Sequence, residues 1–328
     1  MLSGSHDSST FSLVSLFVNT FEPSVAILLA TFNGERFLAE QLDSLQAQTV
    51  TNWRLYVSDD GSTDGTLDII KRYQALWGAE KIQYRDGPQK GFAQNFLSLA
   101  CDPNIKADYY AFCDQDDVWL PEKLNVAVEH IRSTSTADQV YAYGGRTTYT
   151  DVKLKPIGMS PLFVHPRTFR NALIQSIAGG NTMVFNRATK TLFEKTGLVP
   201  AVSHDWWLYQ LVTGVGGVMF YDPQPHILYR QHNDSIIGSN QTPSAIFKRL
   251  IKLLDGQFKK WTDKNIQSLK ESEILLSYEN LLILNIFDTL RKSRKVKDRV
   301  RLLEICGLYR QTWRGTISLI IAAIFNKI

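Results

Sequence analysis

The sequence predicts an α/β chain: a mostly parallel sheet with helices on both faces, followed by a helical C-terminal extension. Three observations predict it. Val25-Ala-Ile-Leu-Leu-Ala30 is an uninterrupted apolar run, the pattern of a strand buried on both faces. Strand-like and helix-like stretches then alternate from Val25 to Arg132, as βαβ units require. Three strand candidates end in polar clusters, Thr31–Glu35, Asp59-Asp60 and Asp114–Asp117. Open parallel sheets bind ligands beyond the carboxyl ends of their strands, so three clusters on one rim predict a single site.

Taken in order, Thr31-Phe-Asn-Gly34 is turn-like and closes the first strand. Leu38, Leu42 and Leu45 then recur at helical spacing between Arg36 and Gln46. Trp53–Val57 is the second strand, closed by Ser58-Asp-Asp-Gly-Ser-Thr-Asp-Gly65. Leu67, Ile70, Tyr73 and Trp77 share one face of a helix that stops at Gly78. Lys81–Tyr84 and Tyr109–Cys113 read as strands three and four, with a helix over Ala93–Ala100 between them. Pro121 stands where a first helical turn tolerates proline, ahead of Glu122–Arg132. Beyond Val140 the pattern is less regular, punctuated by Gly144-Gly145 and Gly179-Gly180, with Gly217–Tyr221 as a further strand. From Pro243 onward the chain reads as helical, basic and amphipathic. The expected organisation is a loose Ser- and Thr-rich extension over 1–22, an α/β unit over 23–240 with halves at 23–135 and 136–240, and a basic helical region over 241–328.

Composition narrows the class. With 44% hydrophobic and 21% charged residues in 328, the chain is globular and long enough to bury a core without staples. Cys101, Cys113 and Cys306 form no CxxC pair, which excludes a disulfide framework and a zinc ribbon and suits a reducing compartment. No run of 18 apolar residues exists to span a membrane. Phe11–Val18 is short and lacks a basic flank, so no signal peptide is expected and the location expected is cytoplasmic. From Lys248 to the end there are 17 basic against 8 acidic residues, leaving 19 against 24 in the rest. That asymmetry predicts something anionic facing the C-terminal part. Gly214-Val-Gly-Gly217 lacks the spacing of a dinucleotide loop, and neither a GxxxxGK[ST] loop nor a GxSxG elbow is present.

Four constellations carry chemistry. Asp114-Gln-Asp-Asp117 packs three carboxylates into four residues after an apolar strand. They coexist only when solvated, protonated or bridged by a cation, and hard divalent cations prefer such oxygens. The plainer reading is an acidic turn that caps the next helix. In Ser58–Gly65 a carboxylate can accept a bond from a pyrimidine ring N–H, although Asp and Ser also cap helices in ordinary loops. His204-Asp205-Trp206-Trp207 sets a carboxylate among aromatics, which raises its pKa toward that of a general base. Its plainer reading is a core tryptophan pair with Asp205 at a helix start. Tyr229-Arg-Gln-His232 offers a guanidinium and an imidazole for a diphosphate and a metal, or simply structural residues.

Together these segments resemble glycosyltransferase family 2, inverting enzymes of the GT-A fold. The matching pieces are Val25–Gly34, Val57–Gly65, Phe112–Leu124 and His204–Trp207, and the resemblance runs over about 24 to 238. The Asp-Gln-Asp-Asp-Val-Trp and His-Asp-Trp-Trp variants resemble the rhamnosyltransferase-like branch that builds bacterial surface polysaccharides. The resemblance implies a nucleotide-binding half and an acceptor half. It assigns Ala30, Thr31, Phe32, Asn33, Glu35, Asp59, Asp60, Asn95, Asp114, Gln115 and Arg230 to the nucleotide-sugar donor. Asp116 and Asp114 stand at the family's DxD motif as ligands of manganese or magnesium, with His232 closing over metal and diphosphate. Asp205 takes the place of the catalytic base, and Gly180, Asn181, His204, Trp206 and Trp207 that of the acceptor site. Two departures matter: His204 precedes Asp205 where the family often has Glu, and the QxxRW motif of processive members is absent, which implies addition of one sugar.

The implied donor is a dTDP- or UDP-sugar, dTDP-L-rhamnose first, and the acceptor a saccharide or lipid-linked saccharide. A nucleotidyltransferase is the main alternative activity, although Thr31–Arg36 lacks its triphosphate loop. A nucleic-acid binder is disfavoured by the acidic site. The basic run Lys292–Arg301 beside apolar Ile317–Phe325 suits an anionic membrane surface, and equally a helix docked on the core or on a second copy of the chain.

Overall fold

A computed structural model describes residues 22–231 and 256–328. Most of the extension, residues 1–21, lies outside them, as do His232 and the start of the basic region. The expected α/β architecture is present. Strands β1 (Val25–Thr31), β2 (Trp53–Asp59), β3 (Ile82–Asp86) and β4 (Tyr109–Cys113) pair in parallel in the order β4-β1-β2-β3. Helices α1 (Leu38–Gln46), α2 (Thr66–Trp77) and α3 (Phe92–Ala100) are their crossovers. Helix α2 stops where expected, at Gly78, whose φ of 93° suits glycine.

β5 (Val118–Trp119), α4 (Lys123–Thr134), β6 (Tyr141–Gly145), β7 (Thr148–Thr150), β8 (Pro156–Met159), α5 (Phe169–Ala172), β9 (Val184–Asn186), α6 (Arg187–Thr196), α7 (His204–Gly214), β10 (Val218–Asp222) and β11 (Ile227–Arg230) follow. The seven-stranded sheet is completed as β10-β6-β9-β4, with β9 antiparallel to both neighbours. A second sheet, β5-β11-β7-β8, was not legible in the sequence, because its strands of two to four residues are too short to show a period.

β1 shows how sequence becomes layering. All seven of its residues are buried. Side chains alternate across a strand, so Ala26, Leu28 and Ala30 enter one core and Val25, Ile27 and Leu29 the other. Leu38, Leu42 and Leu45 of α1 and Leu124, Val128 and Ile131 of α4 cover the second face. α3, α6 and α7 cover the first. The register then aligns the functional rim: Thr31 pairs with Asp59, Asp59 with Asp86, and Leu29 with Cys113. The crossovers leave β1 toward β2 on one side and return to β4 on the other, so the switch point of the sheet lies between β1 and β4.

The C-terminal helices α8 (Gln257–Glu271), α9 (Tyr278–Lys292), α10 (Val296–Cys306) and α11 (Trp313–Ile324) share the first core. Leu269, Leu284, Phe287, Leu290 and Leu319 belong to the same apolar cluster as Trp207 and Leu211. Polar ties lock the junction. The Asn280 amide donates to the carbonyls of Thr213 (2.9 Å) and Gly214 (3.0 Å), and the Asn171 amide to that of Tyr309 (2.9 Å). No helix among the described residues is long and apolar enough to cross a membrane.

A chain ending at residue 255 would leave the α7 face of the core open to water. It is expected to lose its cooperative thermal transition and to bind a hydrophobic dye, measured by calorimetry and fluorescence beside the full chain.

Candidate active site

The rim at the switch point is built from four loops tied to one another by side-chain-to-backbone bonds. The loop after β1 is held to the loop after β2: Asn33 N–H donates to Ser62 Oγ (2.8 Å), Thr63 N–H to Asn33 Oδ1 (2.8 Å) and Gly65 N–H to Glu35 Oε2 (3.0 Å). Gln115 joins it to the acidic loop, accepting the N–H of Phe32 (2.8 Å) and donating to its carbonyl (3.0 Å). Ala30 faces the core, whereas the Phe32 ring is 55% exposed on the rim and presents an aromatic face there.

Asp59 and Asp60 take different parts. Asp59 is buried, and both its oxygens are committed locally. They accept from Gly61 N (3.1 Å) and Ser62 N (2.7 Å), and from the hydroxyls of Thr31 (2.7 Å) and Ser62 (2.6 Å). It organises its loop. Asp60 is half-buried and accepts one bond per oxygen, from Gln89 N (2.6 Å) and Gly91 N (2.8 Å). Asn95 lies beneath them, donating to the Ser58 carbonyl (2.8 Å) with its Oδ1 buried and unpaired.

The acidic loop divides its carboxylates. Asp117 turns inward, fully buried, and accepts from the Asn181 amide and from Arg230 N–H (3.4 Å). Asp114 and Asp116 remain half-buried toward the rim. Burial first, then the charges of Asp116 and Asp205, push Asp114 up to about 8. Burial likewise raises Asp117, with Asp116 and Asp114 adding to it. Asp205 opens α7, where it accepts the N–H of Trp206 (2.7 Å) and bonds Ser203 and the backbone of Gly180. Burial outweighs those bonds and raises its pKa. Asp205 and Asp114 thus share one electrostatic neighbourhood, although 91 residues of sequence separate them.

Several residues expected to touch ligands are structural here. Arg230, 1% exposed, donates to the carbonyls of Asp116 (3.1 Å) and Val152 (2.5 Å) and to Glu40 Oε2 (2.6 Å), and lies over the Phe37 ring. It is a strut that holds the acidic loop to α1 and to the β7–β8 hairpin. Trp206 and Trp207 are core residues that present no face to a sugar; Trp206 donates to the Ala172 carbonyl (2.7 Å). His204 is buried, stacked on Phe96 with ring centroids 3.8 Å apart, and burial lowers its pKa to about 3. Gly180 lies so close to its Nε2 that a Cβ there would collide. Asn181 orients Asp117. Of the expected acceptor group, Gly180 and Trp206 bond Asp205, both through backbone.

Three residues escaped the sequence reading: Asp117 as an inward group, Glu40 as the strut's partner, and Lys123. The Lys123 ammonium is fully buried 3.1 Å from the centre of the Trp119 ring, and desolvation lowers its pKa to about 7. A lysine in the first turn of an amphipathic helix reads as solvated, so nothing local gave it away.

Among the described residues no three His, Cys, Asp or Glu side chains converge on one metal position. Asp114 and Asp116 nevertheless suit a hard divalent cation that takes one or two carboxylates and completes its shell with phosphate and water. Burial is the larger cause of the raised Asp114, and the charges of Asp116 and Asp205 add a part that a bound cation would offset.

A family model described as glycosyl transferase family 2 matches residues 26–193. The chain belongs to glycosyl transferase family 2. It is a glycosyltransferase of the GT-A fold, which sets aside the nucleotidyltransferase alternative. The dTDP-rhamnosyl transferase RfbG of Shigella flexneri is 26% identical over 301 residues, 86% of this chain and 100% of that protein. An uncharacterized glycosyltransferase of Rickettsia typhi, RT0329, is 27% identical over 77% of each chain. Residues 1–349 of S. aureus TarS, solved in complex with UDP-GlcNAc, superpose with a TM-score of 0.53 at 12% identity, covering 93% of this chain and 90% of that one. Asp205 lies beyond the residues the family model matches.

Because Asp114 holds a proton at neutral pH until a cation displaces it, manganese binding at pH 7 is expected to release protons and to strengthen as pH rises toward 8. Calorimetric titrations in two buffers of different ionisation enthalpy measure that release, and Asp114→Asn should reduce it.

Proposed function

We propose that this glycosyltransferase moves one L-rhamnosyl unit from dTDP-L-rhamnose to a hydroxyl of a bacterial surface saccharide or its lipid-linked precursor, inverting the anomeric carbon. The observation that carries the reaction type is the meeting of Asp205, raised by burial, with the rim carboxylates Asp114 and Asp116. The donor choice rests on the full-length similarity to a dTDP-rhamnosyl transferase.

The nucleoside lies on the rim of β1 and β2, with Asp60 accepting the base N–H and Phe32 presenting its ring. Asp116 and Asp114 would hold a divalent cation, magnesium or manganese, which when bound supplies Lewis-acid stabilisation of the departing diphosphate. His232, outside the described residues, is a candidate to close over that site. Asp205 accepts the proton of the acceptor hydroxyl as its oxygen attacks the anomeric carbon and the bond to the diphosphate breaks. Its backbone bonds from Trp206 and Gly180 fix the carboxylate without neutralising it. Arg230 and Gln115 keep the acidic loop registered against β1, which matters because small misplacements of reacting groups cost large factors in rate.

Donor screening with product mass tests the assignment: a deoxyhexose increment from dTDP-L-rhamnose is expected, and turnover of UDP-hexoses alone would overturn the donor. Asp205→Asn should lower kcat by about 10²–10⁴ while donor binding persists. A base must be deprotonated to act and this one titrates above 3.8, so the wild-type rate should fall on acidification at a pH above the ordinary carboxylate range.

A further inference from the structure

α11 is apolar on two sides. Leu319, Ala322 and Ala323 pack into the core, yet Trp313, Ile317 and Ile320, at i, i+4 and i+7, form an exposed stripe on the outside, with Phe325 just beyond the helix. A helix apolar on two sides is normally covered on both, and at twelve residues this one is too short to span a bilayer. The stripe does not stand alone. Gln311 accepts the N–H of His165 (3.0 Å), and the Tyr309 hydroxyl donates to the Pro166 carbonyl (2.7 Å). Those bonds tie the segment that follows Val164, itself 70% exposed, to the residues just before α11, where Trp313 is 67% exposed.

We infer that this composite face, α11 with the segment around Val164, docks on an anionic lipid surface. Charge favours lipid over a second copy of the chain. α10 is fixed beside the end of α11, its buried Arg299 donating to the carbonyls of Ala323 (2.8 Å) and Ile324 (2.5 Å). Its flank, 294–304, exposes Arg294, Lys295, Lys297 and Arg301 against the acids Asp298 and Glu304, while Lys292 just before it pairs with Asp288 (2.7 Å). A second copy would set that positive flank near its own symmetric equivalent, whereas anionic headgroups complement it. Arg314 lies 5.2 Å from the centre of the Trp313 ring, so cation and indole share one rim, as amphipathic helices lying in a membrane interface arrange them.

Flotation of the full chain with phosphatidylethanolamine–phosphatidylglycerol vesicles, compared with phosphatidylcholine vesicles, tests the inference. Wild type should float with the anionic vesicles at least about tenfold better, and less so in high salt. Trp313→Ser with Ile317→Ser, both at exposed positions, should abolish flotation without shifting the melting transition. Arg294→Glu with Lys297→Glu should weaken flotation selectively at low salt. Flotation unchanged in both variants would overturn the inference. So would absence of flotation together with a dimer that Trp313→Ser/Ile317→Ser converts to monomer, which assigns the face to a second copy. Sugar transfer to a water-soluble acceptor should be equal in wild type and variants; failure of that transfer in wild type counts against the proposed function and leaves this face untouched.

Discussion

Negative charge held in too small a volume is the constraint on which the rest of this structure depends. Asp114, Asp117 and Asp205 are raised by burial near the switch point of a parallel sheet, and neighbouring carboxylates raise Asp114 and Asp117 further. The fold answers in two ways. Asp117 turns inward to Asn181 and the Arg230 backbone. The buried Lys123 ammonium lowers the pKa of Asp114 from beneath.

Much of the surrounding structure keeps that arrangement. Arg230 ties the acidic loop to Glu40 of α1 and to the β7–β8 turn, while Gln115 ties it to the loop after β1. The aromatic set of Phe96, Phe112 and His204 packs under α7, and Gly180 closes over His204, so Asp205 stands on a packed floor. Neutral His204 serves that packing as a flat ring. An ionised imidazole in the same place would add an unpaired charge to the core, which its strongly depressed pKa prevents.

The C-terminal helices complete the same core that α7 belongs to. Their inner faces are therefore part of the enzyme's stability, and only their outer faces are available for other purposes. That division explains how a basic, apolar tail can be structural and still retain an unpartnered stripe on α11.

The sequence by itself determined the order of elements through β4, the rim clusters and the family. Apolar runs, helical periods and turn residues are local, and the four motifs keep their identity without a fold. It did not reveal the small sheet, because two- to four-residue strands carry no period. Nor could it tell a ligand from a strut: Arg230, Trp206, Trp207 and His204 have the residue types of a binding site, and Lys123 that of a solvated helix face. Only the tertiary structure decided which side chains face the rim and which face the core. Burial and partnership are properties of what packs against a residue, and those neighbours come from distant parts of the chain.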